Sequence, residues 1–444
     1  MGAGDAGDLN VVHAAFVAQV RDRGTARRGH EQGELDLVPD GAVAVRDGII
    51  VAVGDTAAVL AQWGDAGVLT VDARGRCVLP GFVECHSHPL FAGERHDEYA
   101  ERLGGATLAE VAARGGGIWR SVLATRGASD EELLVRLDAA YRRILAGGAT
   151  TLEVKSGYGL TVADELHQLE LLDRSRPATP MDLVVTFLGA HVVPRDLAVA
   201  SPAGAGASAG DGDDAGERYT ALIDSEMLPA VVAQGLAAFQ DVTVEHGLFT
   251  PAQALRLMAG SRDVGLPVRV HADAWAPSRG WATAAEGGAV SAEHLTYTPD
   301  DEIREVGATD TVAVVLPMAE LVYLTDRRAN ARLFVDHDVP LAVATDFCSS
   351  IHATSIVNTA ATAAPWFRLT PGEVVVAATL NAAYSLGRQA TCGSLDVGKR
   401  GDLLIVDCPH PDELCLAVGA PVIDDIVIAG RRVAGNRAAA ARLL

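Results

Sequence analysis

Val78–Tyr99 reads VLPGFVECHSHPLFAGERHDEY. Its apolar first half is a short strand, and two histidines, His86 and His88, stand at its end. Side chains two apart on a strand share a face, so both imidazoles reach one point in space. Two converging imidazoles, with carboxylates and further histidines downstream, are the material of a zinc-type site. A His-X-His on an exposed strand that binds nothing is the bland alternative, and the rest of the chain decides between them.

Toward the C-terminus, from residue 80 to about 385, short apolar runs alternate with helical stretches, the pattern of βα units and a parallel sheet. The predicted strand bodies are Thr150–Val154, Leu183–Leu188, Asp241–Val244, Val268–Val270, Ala289–Ser291, Thr311–Leu316 and Leu341–Ala344. With the first they make eight, and eight parallel strands predict an α/β fold of the (β/α)8 TIM-barrel class. The active site of such a barrel lies at the C-terminal ends of its strands. Ser129–Leu145, Thr161–Arg174 and Pro251–Ala259 are predicted helices, the first opened by Ser-Asp-Glu-Glu and closed at Gly147-Gly148. Ser201–Glu217 (SPAGAGASAGDGDDAGE) is low-complexity and predicts a surface insertion too polar to pack.

Both ends of the chain are rich in short strands. Gly41–Gly54 carries a hairpin signal, two apolar runs around Arg46-Asp47-Gly48. Val11–Val20 alternates loosely, and Gly393–Asp407 and Ile423–Val433 are again strands with Gly or Asp turns. Residues 1–79 and 386–444 are therefore expected to form the two parts of one small discontinuous β-sandwich domain around a barrel at 80–385. Two separate small domains are the alternative.

At 444 residues with 49% hydrophobic content the chain can build a large core. No uninterrupted apolar run reaches the roughly 18 residues of a membrane span. The N-terminal MGAGDAGDLN lacks the order of a secretory signal. Six cysteines without a CxxC pair fit a reduced, cytoplasmic protein better than a disulfide framework. A net charge of −22 argues against a nucleic-acid partner, since phosphate binding needs a basic face.

The strand count turns scattered polar residues into one constellation. His86, His88, His191, Glu245, His271, His294 and Asp346 all fall at predicted strand ends. Singly each is weak: a lone strand-end His is more often a core residue, and Asp346 alone would be a helix N-cap. Three histidines and a carboxylate suit one divalent metal, Zn2+ or Fe2+, with zinc favoured. Such a metal lowers the pKa of water to about 7 and polarises a carbonyl, so that hydroxide attacks a carbonyl or amidine carbon. Asp346 is then placed to take the proton and deliver it to the leaving nitrogen, and His294 to steady the oxygen on which charge develops.

PGFVECHSH, ATLAEVAARGGGI, LATRGASDEEL, TTLEVKSGYGL, TFLGAH, VRVHAD, SAEHL and VAVATDF, in this order and spacing, resemble the imidazolonepropionase family of the amidohydrolase superfamily. The resemblance spans nearly the whole chain, including the closing GSLDVGKRGDLLIVD. It implies a mononuclear zinc or iron site at His86, His88, His271 and Asp346, and opening of an imidazolone ring in histidine breakdown. Arg95, Tyr158 and His191 match substrate contacts, and His294 the family's strand-six catalytic histidine. A homodimer is expected on family grounds, as is a small heterocyclic substrate.

Four positions depart from the family. Ala274 stands where Glu or Gln is usual, Leu108 replaces a tyrosine, Met318 a glycine, and Cys348-Ser349-Ser350 an Asn-Pro-Gly. These changes leave the implied metal ligands intact while altering the groups that grip the substrate, and they predict a related cyclic amide or amidine, less anionic or bulkier near Leu108 and Met318.

Three further readings bear on the site. Lys155 is one of only two lysines, and is taken as a structural partner within the barrel rather than a carbamylated metal bridge, because it belongs to strand two. A heterocycle deaminase would use the same cage and release ammonia; Ala274 argues against both standard readings, slightly more against deamination. A non-catalytic ligand-binding homologue is the third. Trp275 and Trp281, in the loop after strand five, are candidates for a wall or lid over the substrate or for surface packing. The Gly115–Gly117 turn is expected near the substrate, and Cys348 is expected to face the pocket.

Overall fold

The computed structural model describes residues 7–195, 197 and 211–434; the side chains of Leu108, Ala109 and residues 211–214 lie outside that description. The Val78–Tyr99 stretch divides between two sheets. In the first, β1 (Leu9–Ala18), β2 (Leu37–Arg46), β3 (Ile49–Asp55), β4 (Leu69–Asp72) and β5 (Cys77–Pro80) come from the N-terminal part of the chain. The second is the barrel: β6 (Phe82–Glu84), β7 (Ala149–Lys155), β8 (Asp182–Ala190), β9 (Phe239–Val244), β10 (Val268–Ala272), β11 (Ser291–His294), β12 (Val312–Val315) and β13 (Leu341–Val343). The C-terminal β14 (Leu403–Val406), β15 (Ile423–Ile428) and β16 (Arg431–Ala434) return to the first sheet. Its order is β16-β15-β14-β5-β1-β2-β3 with β4 on β1, so strands from both termini share one ladder. Leu403 sits opposite Pro80 and Val406 opposite Cys77.

Gly81 is the step between the sheets. Its N–H donates to the Asp402 carbonyl at 3.0 Å, and a Cβ at this residue would lie 2.2 Å from Thr150 Oγ1. Only glycine lets β6 approach β7 so closely. The predicted hairpin is β2–β3, with Asp47 and Gly48 both at positive φ, as a two-residue turn between twisted strands requires. Asp22, in the loop after β1, accepts from the Tyr384 hydroxyl (2.7 Å) and Lys399 Nζ (3.1 Å), pinning the N-terminal loop to the end of the chain.

The eight barrel strands are parallel and neighbour one another in sequence order from β6 to β13. The two ends meet just beyond β6 and β13. His88 N donates to the Phe347 carbonyl at 2.7 Å and Asp346 N to the His86 carbonyl at 3.2 Å. This closure sets two candidate ligand strands side by side.

Sequence expectations fail in three instructive places. The sixth barrel strand is Ser291–His294 rather than Ala289–Ser291, because its body carries Glu293 and His294, which an apolar pattern passes over. Of the predicted insertion, residues 201–210 lie outside the described residues, but from Asp211 the chain is a helix, Asp211–Leu222. Ala215, Tyr219 and Ile223 recur every four residues and are buried, and the Tyr219 hydroxyl donates to the Gly189 carbonyl at 2.8 Å. Trp281 is fully buried with its ring edge-on to Phe334 at 4.9 Å, so it is core rather than cavity wall.

Candidate metal centre

The C-terminal ends of the barrel strands bring four donor atoms together. His86 Nε2 and His88 Nε2 are 3.3 Å apart, and His271 Nε2 is 3.4 Å from His88 Nε2. Asp346 Oδ1 lies 3.5 Å from His86 Nε2 and 3.7 Å from His88 Nε2. These four separations are close to the edge of about 3.4 Å in a tetrahedron with bonds of about 2.1 Å, and His86, His88 and His271 form one close group able to hold a metal ion. Burial, with Lys155 and the neighbouring histidines adding to it, holds the His86 imidazole far below its ordinary pKa, and burial does the same to His88. Both rings are therefore held neutral, the form in which an imidazole can ligate a metal. His294 completes a second close group with His86 and Asp346.

Backbone geometry aims these residues. His294 and Asp346 both have positive φ (74° and 56°), as does Asp273 just beyond β10 (52°). Each such non-glycine residue costs about 1–3 kcal/mol and persists only where the surroundings hold it. Asp273 is held by donors from Ser278 N (2.7 Å), Gly280 N (3.0 Å), Trp281 N (3.2 Å) and Thr298 Oγ1 (2.8 Å). Its carboxylate folds the loop after β10 back onto the barrel.

Beneath the donor atoms lies a buried charge network that sequence reading missed. Asp241 accepts from His271 Nδ1 at 3.0 Å and from Lys155 Nζ at 2.6 Å. With Nδ1 donating, the His271 Nε2 lone pair is turned toward the cavity, the usual arrangement of a histidine ligand braced by a carboxylate. Lys155 also donates to Glu153 at 2.9 Å, and Arg269 bridges Glu153 (3.0 Å) and Glu293 (2.9 Å). All five side chains are fully buried. Burial alone would lower the Lys155 pKa, but Asp241 and Glu153 outweigh it and raise it; burial likewise works against the Asp241 charge, yet His271 and Lys155 hold its pKa well below the carboxylate range. A salt-bridged ammonium this enclosed matches the structural reading of Lys155. The available signal was charge inside otherwise apolar strand bodies, as in Glu153-Val154-Lys155.

Above the donors is a cavity of about 480 Å3. Of the predicted substrate residues, Arg95, Tyr158, His191, Ala274 and Cys348 line it, together with the candidate ligands His88, His271 and Asp346 and the catalytic candidate His294. Arg95 Nε donates to Glu98 at 2.6 Å, and its two terminal nitrogens have no hydrogen-bond partner among the described residues. His191 stacks on His88 at 5.3 Å, and burial pushes its pKa down to about 3. Its Nδ1 is 2.9 Å from the Gly157 carbonyl, so Nδ1 carries the proton and Nε2 is an acceptor. Tyr158 OH is 3.5 Å from Ser349 Oγ, and Tyr323 OH is 2.9 Å from Ser350 Oγ. Gly117 lines the cavity, as expected for the glycine turn, and its N–H donates to Glu98 Oε1 at 3.1 Å.

The remaining candidates fall elsewhere. Met318 is not among the cavity's lining residues and packs against the cluster containing Val312, Val314 and Ala344. The Leu108 side chain lies outside the described residues. Glu245 reaches the cavity, but its carboxylate braces the loop after β10, accepting from Trp275 N (2.9 Å), Ala276 N (3.2 Å) and Ser278 Oγ (2.9 Å). Trp275, unlike Trp281, does form a wall, edge-on to Tyr323 at 4.4 Å.

Known proteins share this architecture and sequence. Residues 77–433 match the amidohydrolase family, and residues 41–66 match the imidazolonepropionase-like composite domain of bacteria. An imidazolonepropionase from Symbiobacterium thermophilum is 40% identical, covering 96% of this chain and 97% of its own. One from Geobacillus kaustophilus is 36% identical over 91% of this chain and 93% of its own. Among solved structures, an adenosine deaminase from Xanthomonas campestris with bound zinc superposes with a TM-score of 0.66 at 20% identity, covering 98% of this chain and 97% of that one. A zinc-bound atrazine chlorohydrolase from Arthrobacter aurescens gives 0.68 at 17%, covering 96% and 95%. At these identities the two structures speak to the fold alone.

Proposed function

The chain belongs to the amidohydrolase family, on its imidazolonepropionase branch, and from that premise we propose that His86, His88, His271 and Asp346 hold one divalent ion, zinc in preference to iron, at the floor of the cavity. The protein is a metal-dependent hydrolase of a C–N bond in a cyclic amide. The observation that carries the ligand assignment is the 3.3–3.7 Å spacing of these donor atoms at the cavity floor.

When bound, a divalent ion supplies Lewis acidity, making water a competent nucleophile near neutral pH and drawing electrons from a ring carbonyl. The rest is done by side chains. Asp346, whose carboxyl burial pushes up to about 7, takes a proton from the attacking water and returns it to the ring nitrogen as the C–N bond breaks. His294 is held neutral by burial and donates a hydrogen bond to the oxygen on which negative charge gathers. His191 Nε2 accepts an N–H of the ring, and Arg95, with its terminal nitrogens unbonded, holds an anionic end of the substrate. Altered gripping groups are supported at Ala274 and Cys348, which line the cavity, and not at Met318. Ala274 brings no proton-carrying group, which weighs against deamination.

The test is turnover of imidazolone and related ring amides by zinc-loaded and chelator-stripped enzyme, following ring opening and ammonia in parallel. Ring opening that is lost on chelation, regained with zinc and free of ammonia is the expected result. Ammonia release without ring opening would replace the proposal with a deaminase. Asp346→Asn is expected to lower kcat at least a hundredfold. A homodimer, proposed on family grounds, is checked by sedimentation.

A further inference from the structure

Two tyrosines line the cavity, each with its hydroxyl against a serine: Tyr158 against Ser349 at 3.5 Å, and Tyr323 against Ser350 at 2.9 Å. Tyr323 was not among the sequence candidates. Both serines belong to a tight turn after β13, in which Cys348 N donates to the Ile351 carbonyl at 2.8 Å and Ile351 N to the Cys348 carbonyl at 3.2 Å. They stand where the family has proline and glycine, which carry no side-chain donor, and both line the cavity. Cys348 Sγ is 3.4 Å from Ser350 Oγ, so Cys348, Ser350 and Tyr323 form a row along which every proton can turn the same way.

Tyr323 is held firmly. It closes the short helix Pro317–Val322, its N–H donating to the Ala319 carbonyl at 2.8 Å. Its ring is edge-on to Trp275 at 4.4 Å and lies under the Arg102 guanidinium, 5.6 Å from the ring centroid. Arg102 also donates to the Tyr323 carbonyl, so ring and backbone are both fixed. Burial holds the phenol pKa well above its ordinary value, and Tyr323 keeps its proton as a donor. Arg95 is within electrostatic reach of Tyr323 and Cys348. The Glu98 carboxylate beside it is occupied, one oxygen by Arg95 Nε at 2.6 Å and the other by Gly117 N at 3.1 Å. This side of the cavity therefore offers donors: the Arg95 terminal nitrogens and the row that ends at Tyr323.

We infer that Tyr323 is a specificity-determining residue of this site, donating its phenol proton to the anionic end of the ring amide beside Arg95, with Ser350 positioning the hydroxyl. This rests on the ring-opening function proposed above and adds to Arg95 the residues that recognise the substrate's charge. Cys348 donates to Ser350, Ser350 to Tyr323, and Tyr323 to one carboxylate oxygen, while an Arg95 terminal nitrogen takes the other. Hydrogen bonds to a charged acceptor are the stronger kind, and an uncharged end would leave the phenol and the guanidinium poorly paired. The serines thus exchange one set of donors for another instead of relaxing the demand for charge.

The experiment compares two substrates on the zinc-loaded full-length enzyme: an imidazolone bearing propionate and the methyl ester of the same compound. The parent is expected to favour the acid by about tenfold or more in kcat/KM. Tyr323→Phe keeps the ring against Trp275 and Arg102 and removes only the hydroxyl. It is expected to cut that preference about tenfold, through KM rather than kcat. Ser350→Ala is expected to cut it about threefold, with Ser350→Thr restoring it. Calorimetric titration with an imidazole bearing propionate, which has no amide to open, should show a Kd about tenfold weaker in Tyr323→Phe and needs no turnover. Equal losses on acid and ester, or an unchanged preference, would overturn the inference and leave the ring-opening function standing. If the parent opens neither ring, that function falls, and an unchanged Kd in Tyr323→Phe overturns the inference with it, whereas a Kd about tenfold weaker upholds it alone.

Discussion

Replacing Asp241 with alanine removes the carboxylate that bonds the candidate ligand His271 to Lys155 in the barrel interior. Asp241 accepts from His271 Nδ1 at 3.0 Å and Lys155 Nζ at 2.6 Å, and all three residues are buried. In the variant Lys155 keeps, among the described residues, only the Glu153 hydrogen bond at 2.9 Å, and Glu153 must also serve Arg269 at 3.0 Å. Breaking a buried ion pair on one side costs about 3–5 kcal/mol, because the remaining charge stays enclosed. Against a total stability of about 5–15 kcal/mol the protein should still fold, with a clearly lower denaturant midpoint. His271 loses the acceptor that fixes its tautomer, and loss of such a brace typically weakens metal binding 10–100-fold. The two losses are read separately, stability by urea unfolding of the metal-free protein and affinity by zinc competition with a chromophoric chelator. Asp241→Asn keeps an oxygen for His271 but can turn an amide toward Lys155, so it should recover affinity more than stability. If Asp241→Ala lies within about 1 kcal/mol of the parent and binds zinc equally well, the network is not what holds His271.

Three other outcomes follow from the geometry. Asp22 has its carboxyl pKa lowered: partial burial pushes it up, and the Tyr384 hydroxyl, the Gly24 amide and Lys399 together outweigh that. A carboxylate with a depressed folded pKa stabilises the fold above its unfolded pKa and ceases to as pH falls through the folded one. Asp22→Asn should therefore lower the unfolding midpoint at pH 7, with the gap from the parent closing below about pH 4. Trp281→Ala, at a fully buried ring against Phe334, should cost about 3–5 kcal/mol, whereas Trp275→Ala at the cavity wall should stay within about 1 kcal/mol. Ala substitution at Gly81 should be severely destabilising, since its Cβ would lie 2.2 Å from Thr150 Oγ1 on an adjacent strand, and thermal unfolding reads the loss directly.

The barrel was legible because most of its strands carry a short apolar run stopped by a polar residue, and seven of the eight were located from that pattern alone. The eighth shows the limit. Glu293 lies within β11 and faces Arg269, so the apolar pattern points two residues too early. The helix at Asp211–Leu222 was missed for the opposite reason: glycine and aspartate hide a spacing of four that matters only once Tyr219 finds the Gly189 carbonyl.

Residue identity by itself determined the strand-end histidines and Asp346, because a two-residue spacing on a strand and a position after an apolar run are local properties of the chain. The tertiary structure alone decided which of them meet, and what stands behind them. Lys155 and Asp241 are 86 positions apart and become partners only when β7 and β9 enclose the same interior. Trp275 and Trp281 are six apart and end in a cavity wall and a core, because the Asp273 carboxylate folds the loop between them. Local pattern carries side-chain direction along one strand, whereas partners and cavity walls arise from closure of the barrel, which sums over all eight.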